Sequence, residues 1–404
     1  MKSLLISGTY FPPQVGGISH YMAAIASALG PERVCCLTGV ALTGSESVAS
    51  ATPRVYRRPA VFGTTTPVQL AALAAAMASI MVRERPRVVQ LATAAEGYLG
   101  PWLQQALRLP YVVYAHGNEV LDAIHSTWDK PRAALRGAAR VLANSRFTAG
   151  LVEEAGVAPE RIEVVHPGCD VDHFRPVPVD DDLRRRLLGD RAGGRVVLSV
   201  GGLVPRKGHD TVIRALPEVL RRCPDVTFLI VTSDRRNYGA LDVLARQLGV
   251  RDRLVLAFDV PTDQLPQIYA LCDVFAMPSR EDRQACDAEG FGMVFLEANA
   301  CGKPVVGGRS GGIPDAVLEA ETGLLVDPYE PADTARALVG LLEDRDFATR
   351  LGRQGRSRVA GQLTWARVAG RIRDILDAVL QERLRAGAGR PNNSRIQERA
   401  GSST

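Results

Sequence analysis

Short, continuous apolar runs alternate with helix-like segments along most of this chain, and the alternation occurs in two blocks. In the first block the segment PVQLAALAAAMASIMVRE and others like it separate the runs SLLIS, RVCCLTG, RVVQLAT, YVVYAHG and RVLANS. Strands that are apolar along their whole length are usually covered on both faces, as in the parallel sheets of α/β proteins. The first block therefore predicts a parallel sheet between two layers of helices.

The alternation stops at residues 173–194, where proline, glycine and charged residues accumulate, and then starts again. The second block contains a predicted helix over 209–222 and the apolar runs RVVLSVGGL, VTFLIVTS, RLVLAFD, VFAMPS, KPVVGG and GLLVD. This pattern predicts a second doubly wound unit. The three aspartates at 180–182 are expected to be solvated charge in the linker.

The domain boundaries follow from this division. We predict domains at 1–175 and 176–365, a helix at 366–384 and a disordered tail at 385–404, which is rich in Gly, Ser, Asn and Arg. Two similar parallel-sheet domains joined by a linker suggest a ligand in the cleft between them, outside the carboxyl ends of the strands.

Composition excludes several classes of protein. Lys and Arg (49) exceed Asp and Glu (44) by five, and they are spread along the chain rather than concentrated as in a nucleic-acid binder. The seven cysteines show no metal-ligand spacing and are expected to be buried thiols in a reducing compartment. No run approaches the roughly 18 apolar residues of a membrane span, and the N-terminus is interpreted as a first strand. These features favour a cytoplasmic protein.

Glycines and charged residues follow several predicted strands. Gly16 and Gly17 precede the first helix, where they would let a phosphate approach the backbone, although a plain tight turn is an open alternative. His116 follows YVVYA and has a structural or a functional role. Arg206 and Lys207 lie in a glycine-rich turn before a helix, which suits a diphosphate unless the turn is merely solvated.

The stretch DAEGFGMVFLEANACGKPVV carries two glutamates next to apolar sequence. We expect a helix from about Met293 to Cys301-Gly302, so that Glu289 lies in the preceding loop and Glu297 in the helix. The backbone N–H groups of Gly290 and its neighbours Phe291 and Gly292 would then lie at the helix N-terminus, where a phosphate binds well. Two hydroxyl-binding carboxylates on either side of such a turn describe a sugar-nucleotide site.

These motifs together resemble a known family. The stretch above is similar to the E-x7-E signature of retaining glycosyltransferases of family 4, and the resemblance extends over about residues 3–380 through FPPQVGGISHY, YAHGNEV, ANSRFTAGLV, VVHPGCDVDHF, LVPRKGHDTVIRAL and GLLVDPYEP. It implies an α/β fold of the GT-B type, with two doubly wound, Rossmann-like domains facing across a cleft. HGNEV and DAEGFGMVFLEANACG most resemble bacterial mannosyltransferases that act on phosphatidylinositol mannosides and use GDP-mannose.

The resemblance also implies roles for individual residues. Glu297 matches a glutamate that binds the nucleotide ribose, and Glu289 matches one at the donor sugar. Lys207 matches a lysine that neutralises the leaving diphosphate, and His116 matches a histidine at the donor hexose. The backbone groups that would bind sugar and phosphate are those of Gly16, Gly17, Gly290, Phe291, Gly292, Met293 and Val294.

Two positions depart from the family pattern. Gly202 stands in the donor-binding turn where family members commonly have an arginine, so either Arg206 supplies the missing cation or the donor binds more weakly. The usual glycine-rich turn after the next strand is replaced by TSDRRNYG, in which Arg235 and Arg236 are candidates to supply charge.

The resemblance implies partners as well. The first domain would bind a lipid-linked or glycan acceptor and the second a nucleotide-sugar donor, with no cofactor or metal required, and the last helix would cross back to the first domain. The segment 67–87 ends in Arg83, Arg85 and Arg87 and is either a core-facing helix or a peripheral membrane contact. The protein is not expected to bind nucleic acid.

Other functions remain open from the sequence. They are a UDP-sugar-dependent transferase of the same family, a sugar-nucleotide epimerase, a phosphorylase and a non-catalytic nucleotide binder. An epimerase needs acid and base groups, for which His116 alone is a candidate, and a phosphorylase needs a pyridoxal phosphate lysine and a longer chain. Gly202 favours the non-catalytic reading, whereas the intact residues Glu289, Glu297, Lys207 and His116 oppose it. The acceptor, the linkage and the oligomeric state have no recognisable signature.

Overall fold

A computed structural model of the protein describes residues 1–40, 53–58, 67–100, 103, 107–127 and 129–388. These residues form two separate parallel sheets, as the alternation predicts. Successive residues of a strand enter different apolar clusters, Val196 and Leu198 on one side of the second sheet and Val197 on the other. Both faces of the sheet are therefore covered, which explains why its strands are apolar throughout.

The first sheet has seven parallel strands in the order β3-β2-β1-β4-β5-β6-β7. Its strands are β1 (Ser3–Ser7), β2 (Val34–Thr38), β3 (Val55–Arg57), β4 (Val88–Leu91), β5 (Tyr111–Ala115), β6 (Arg140–Ala143) and β7 (Ile162–Val164). The helices that connect them are α1 (Gly17–Leu29), α2 (Pro67–Glu84), α3 (Asn118–His125), α4 (Lys130–Gly137) and α5 (Arg146–Glu154). The strand order reverses between β1 and β4, which is where such sheets bind ligands.

The second sheet has six parallel strands in the order β10-β9-β8-β11-β12-β13. Its strands are β8 (Val196–Val200), β9 (Thr227–Thr232), β10 (Leu254–Phe258), β11 (Val274–Met277), β12 (Val305–Gly308) and β13 (Gly323–Val326). Its helices are α6 (Asp181–Leu188), α7 (His209–Arg222), α8 (Tyr238–Gln247), α9 (Leu265–Leu271), α10 (Met293–Ala300), α11 (Ile313–Ala316), α12 (Pro331–Glu343) and α13 (Arg345–Gln362). The order reverses between β8 and β11.

The last helix, α14 (Trp365–Ala388), packs on the first sheet although it follows the second one in sequence. Its buried residues Ile372 and Leu376 join Met22 and Ile25 of α1 in one apolar cluster. The indole of Trp365 lies 5.5 Å from the ring of Tyr21, measured between ring centroids. The helix extends four residues beyond the predicted end at 384, so residues 385–388 are helical and not part of a disordered tail, because the helical pattern continues through Leu384. The rest of the predicted tail, from 389 onward, lies outside the described residues.

Helix α2 directs its apolar face to the core. Leu73, Met77 and Ile80 are almost fully buried and are spaced at helical intervals. Val82, near the end of the helix, is 79% exposed, and Arg83 after it is also exposed. The helix therefore belongs to the core, with an exposed end.

The aspartates at 180–182 are not merely solvated linker charge, contrary to the sequence prediction. Asp180 is the N-cap of α6, and its carboxylate accepts a hydrogen bond of 2.9 Å from the N–H of Leu183. Asp181 and Asp182 occupy the first turn, where negative charge interacts favourably with the helix dipole. The prediction failed because the charge-rich segment conceals a helix whose buried residues are few.

The capping role of Asp180 can be tested by substitution. We expect Asp180→Ala to lower the free energy of unfolding by about 1 kcal/mol, because the Leu183 N–H loses its acceptor. Asp182→Ala is the control: Asp182 is 87% exposed, pairs with Arg185 at the surface and caps no N–H of the described residues, so only about a few tenths of a kcal/mol from the helix dipole should be lost. Urea unfolding followed by circular dichroism measures both, and equal effects of the two substitutions would contradict the assignment.

Candidate functional site

A cavity of about 330 Å³ lies between the two sheets, at the carboxyl ends of their strands. Residues of both domains line it, and the predicted site residues among them are His116, Arg206, Glu289, Gly16, Gly17, Gly290, Phe291, Gly292 and Met293. These residues are far apart in sequence and come together because parallel strands end at a common edge.

Glu289 is held by two cations from the loop after β8. Its Oε2 lies 2.5 Å from Nζ of Lys207 and 3.8 Å from Nε of Arg206. Burial acts to raise the pKa of Glu289, but the charges of Lys207 and Arg206 outweigh it and lower that pKa below its ordinary value. The carboxylate is therefore ionised at neutral pH and its charge is compensated within the site.

At Gly290 the backbone of the second domain packs directly against that of the first. A Cβ atom at this position would lie 1.8 Å from the carbonyl oxygen of His116, which is far inside contact distance. On its other side, a Cβ at Gly312 would lie 1.9 Å from the carbonyl oxygen of Gly290. Only glycine fits at these two positions, because the backbones themselves are in contact.

Two helix N-termini face the cavity from opposite sides. Helix α1 begins after Gly16 and α10 after Gly292, and neither has a side-chain cap. Gly292 has φ +90°, a conformation that glycine adopts readily, and a Cβ on Gly17 would lie 3.7 Å from the Met293 side chain. The uncapped N–H groups and the two helix dipoles make this part of the cavity favourable for an anion.

Asn118 joins the first domain to the loop that carries Glu289. Its Nδ2 donates to Oδ1 of Asp287 over 3.1 Å, and its Oδ1 accepts from the N–H of Ala288 over 2.8 Å. Asp287 in turn lies 3.2 Å from Nη1 of Arg206. The amide of Asn118 therefore holds the Glu289 loop of the second domain against the first domain, across the cleft.

His116 is oriented by its own domain. Its Nε2 lies 2.9 Å from the carbonyl oxygen of Ala92, so this nitrogen carries the proton and Nδ1 is the acceptor when the ring is neutral. Its backbone N–H donates to the carboxylate of Glu119, and the ring of Tyr21 lies edge-on at 5.2 Å. The ring is thus held at the wall of the cavity in one tautomer.

Four predicted site residues do not line this cavity. Lys207 reaches it only through Glu289, and the side chain of Val294 packs against the core of the second domain. Gly202 uses its carbonyl to accept from His209. Glu297 accepts a hydrogen bond of 2.7 Å from the hydroxyl of Tyr269, and its burial raises its pKa.

Arg235 and Arg236 pair with carboxylates on the surface. Arg235 stacks over the ring of Phe258 at 4.0 Å and lies 2.7 Å from Asp259. Arg236 lies 2.9 Å from Asp234, and both arginines are largely exposed. Neither lines the cavity, so Arg206 is the arginine that this cavity contains.

Sequence reasoning missed two buried residues that shape the site. The carboxylate of Glu96 accepts from the N–H groups of Gly8 and Thr93 at 2.9 Å each, and so ties together the loops after β1 and β4. His209 is buried, and its Nε2 lies 3.1 Å from the carbonyl oxygen of Gly202. The histidine directly follows RKG in the sequence, which could have drawn attention to it; Glu96 gave no such signal.

The structure thus has two parallel-sheet domains around a cleft, which contains paired charges and two helix N-termini that suit an anion. These features are typical of the class of proteins that bind a phosphate-bearing ligand between two domains. Comparison with known families identifies the class further. Residues 15–173 match the family described as Glycosyltransferase Family 4, and residues 181–358 match Glycosyl transferases group 1.

Individual relatives agree with this result. The chain is 35% identical over 387 residues to the GDP-mannose-dependent alpha-(1-6)-phosphatidylinositol monomannoside mannosyltransferase of Mycolicibacterium smegmatis. The aligned region covers 92% of this chain and 98% of the relative. The chain is also 32% identical over 418 residues to the D-inositol 3-phosphate glycosyltransferase of Nocardia farcinica, covering 95% and 90%. The structure of Anabaena HepE with UDP and glucose has a TM-score of 0.74 at 24% identity, covering 93% and 99%.

The chain belongs to the family 4 glycosyltransferases and has their GT-B fold. It is therefore an enzyme that transfers a sugar from a nucleotide-sugar donor, and the resemblance stated from the motifs is confirmed. Among the described residues, no helix combines the length and apolar character needed to cross a bilayer.

The bridge made by Asn118 leads to a first prediction about the site. We expect Asn118→Ala to lower the rate of sugar transfer about tenfold to a hundredfold, because two hydrogen bonds worth about 1–3 kcal/mol hold the Glu289 loop in place. Hydrogen exchange at the Ala288 amide should become faster at the same time. That second readout does not depend on activity.

Asn118→Asp is the companion variant. It keeps the acceptor for the Ala288 N–H but places a carboxylate beside Asp287, so we expect it to be more damaging than Asn118→Ala. A wild-type transfer rate in Asn118→Asp would show that the bridge does not position the loop.

His209 leads to a prediction about pH. Burial lowers its pKa from 6.5 to about 4, although the Gly202 carbonyl opposes this. The unfolded chain takes up the proton near pH 6.5 and the folded protein only near pH 4, so stability is complete above pH 6.5 and falls as the pH drops toward 4. The difference corresponds to about 3 kcal/mol.

Unfolding of the wild type and of His209→Gln in urea, at several pH values, measures this contribution. The wild type should lose about 3 kcal/mol more than the variant between pH 6.5 and pH 4. Parallel stability curves for the two proteins would show that the buried ring is not held neutral.

Proposed function

We propose that the protein is a retaining mannosyltransferase that moves mannose from GDP-mannose to a lipid-linked acceptor of the phosphatidylinositol mannoside type. The observation that carries the proposal is the grouping of Glu289, Arg206 and Lys207 with two uncapped helix ends around one cleft, in a chain 35% identical to a mannosyltransferase of that kind. The sugar, the base and the acceptor in this proposal come from that relative.

The proposed binding mode places the diphosphate at the facing N-termini of α1 and α10. There the uncapped N–H groups would bind phosphate oxygens, and Arg206 would add positive charge. Nε of Arg206 is buried, lies 3.8 Å from Glu289 and has no hydrogen-bond partner among the described residues, so the guanidinium would have to turn toward the cleft to donate to a phosphate. When sugar hydroxyls bind to Glu289, they would replace Lys207 there, and the lysine would then add its positive charge to that of Arg206 at the diphosphate.

The chemical step builds negative charge on the departing phosphate as the anomeric bond breaks. Cations and amide dipoles that are already in position stabilise this charge without reorganising, which is the most effective form of electrostatic catalysis. Glu289 would accept hydrogen bonds from hydroxyl groups of the sugar, and Nδ1 of His116 would accept one from the hexose. The leaving phosphate would take the proton of the attacking hydroxyl on the same face, so no protein nucleophile is needed.

Glu297 is proposed to bind the ribose. It lies about one helical turn beyond the start of α10 and accepts one hydrogen bond, from Tyr269. Its carboxylate therefore has further lone pairs for the ribose hydroxyls. Gly202 has no side chain at the position where the family motif commonly has an arginine, and Arg206 is proposed to replace that cation. The independence of the reaction from a metal stays a prediction, as does the absence of a cofactor.

A second candidate acceptor is a soluble inositol phosphate. It is favoured by the 32% identity to the D-inositol 3-phosphate glycosyltransferase of Nocardia farcinica over 95% of this chain. The lipid acceptor is preferred because, over nearly the whole chain, identity to the mannosyltransferase (35%) is higher than to this inositol phosphate enzyme (32%). A cytoplasmic enzyme that contacts the membrane peripherally through the exposed end of α2, with Val82 and Arg83, would suit a lipid acceptor.

The proposal is tested by nucleotide release from a panel of GDP- and UDP-sugars, with phosphatidylinositol mannosides or inositol 3-phosphate as acceptor. We expect release from GDP-mannose with the lipid, lowered about a hundredfold or more in Glu289→Gln, because an uncharged amide no longer balances Lys207 and Arg206 and binds sugar hydroxyls less strongly. Glu321→Gln, at an exposed position outside the cleft, is the matched control.

The result separates the candidates. Turnover of a UDP-sugar would overturn the proposed donor, and turnover only with inositol 3-phosphate would overturn the proposed acceptor. Full activity in Glu289→Gln would overturn the proposed role of that residue.

A further inference from the structure

The second domain has another cavity, far from the cleft. Its volume is about 460 Å³, larger than the cavity of the candidate active site. It lies at the amino ends of the second sheet, because its lining residues Arg195, Asp273 and Pro304 directly precede β8, β11 and β12. The sheet therefore separates it from the carboxyl edge at which the nucleotide sugar is proposed to bind.

Positive charge dominates this second cavity. Five cationic side chains line it, namely Arg195, Lys303, Arg345, Arg353 and Arg356. The single carboxylate in the lining is that of Asp273, which accepts a hydrogen bond of 2.8 Å from the N–H of Val196. The remaining wall is formed largely by apolar and backbone groups.

Most of this charge is not neutralised by carboxylates. Arg195 is paired with Asp225, but no ion pair with a carboxylate is present for Lys303, Arg345, Arg353 or Arg356 among the residues that the structure describes. Arg345 and Arg353 are exposed and extend from helix α13. Like charges gathered in a concave surface repel one another and create a strong local field for anions.

Two of the cations are fixed in place by backbone carbonyls. Nζ of Lys303 donates to the carbonyl oxygens of Ala270 at 3.0 Å and Cys272 at 2.7 Å. Nη1 of Arg356 donates to the carbonyl oxygen of Ala300. These hydrogen bonds hold charge at the floor of the cavity, whereas solvated surface lysines and arginines usually extend freely into water. The arrangement is thus preorganised for an anion, with Arg345 and Arg353 left free to close on it.

We propose that this basic cavity is a second binding site, for a small ligand that carries several phosphate charges. Arginine forks match phosphate oxygens in pairs, and a volume of this size is that of a typical small-molecule site. The phosphates belong either to a soluble organic phosphate or to the headgroup of an anionic lipid. The site is independent of the function proposed for the cleft.

Titration calorimetry of the full chain with inorganic tripolyphosphate tests whether the cavity binds a soluble phosphate compound. The wild type should bind it at two places, the cleft and the basic cavity. Arg345→Glu/Arg353→Glu should lose the second of these, with affinity lowered about tenfold or more, while Lys207→Ala should weaken only the first. Sugar transfer should continue in the double variant, since neither residue contacts the cleft.

Flotation with phosphatidylcholine vesicles, with and without phosphatidic acid, tests the lipid source. Loss of acid-dependent binding in the double variant alone would assign the site to a headgroup. The matched control is Arg350→Glu/Arg336→Glu, which makes the same change of charge at exposed positions that do not line the cavity. If the double variant binds both probes as the wild type does, or if the control loses as much, the proposal is wrong.

The variants also report on folding. Because Arg345→Glu/Arg353→Glu relieves repulsion between like charges at exposed positions, its free energy of unfolding should be equal to that of the wild type or higher. If the double variant binds tripolyphosphate more weakly but is as stable as the wild type, the loss of affinity comes from the changed cavity and not from a damaged fold.

Discussion

The geometry of the candidate site depends on the contact between the backbone at Gly290 and the carbonyl of His116. No side chain fits between the two domains there, since even a methyl group would overlap the carbonyl oxygen. The loop after β5 and the loop before α10 are consequently held at a fixed separation. Asn118 adds two hydrogen bonds beside this contact, so that Glu289 is positioned by backbone packing and by an amide.

The charges of the site are balanced before any ligand arrives. Glu289 neutralises Lys207, and Asp287 lies beside Arg206, so neither cation is unpaired. In the proposed mechanism a nucleotide sugar brings two phosphate charges and several hydroxyls. The cations then turn to the phosphates and Glu289 to the hydroxyls, which replaces one set of charge-assisted contacts by another. Such an exchange avoids the cost of burying unpaired charges in either state.

The fold was predictable because the strands are apolar on both faces, and continuous runs such as VVLSV carry that signal directly. The start of α10 at Met293 was also predicted, because Gly292 precedes it. The roles of Glu96 and Asn118 were not predictable, since each depends on a partner that only the tertiary structure brings near, whereas His209 follows RKG directly and could have been noticed. The capping role of Asp180 was missed for a local reason: the eight residues of α6 contain three arginines and two aspartates, which resemble a solvated linker.

Gly202 stands where the family motif commonly has an arginine, and its surroundings bear on the proposal that Arg206 supplies this charge instead. A Cβ at Gly202 would lie 3.5 Å from Oδ2 of Asp234, so a longer cation there would meet that carboxylate. In this chain Arg236 already pairs with Asp234, and the carbonyl of Gly202 is engaged by His209. The polar groups around Gly202 are therefore already engaged with one another. Arg206, four residues later, lines the cavity and has an unpartnered Nε donor. A phosphate requires positive charge at a place and not at a particular position in the sequence, so in the proposed mechanism Arg206 supplies the charge that Gly202 cannot.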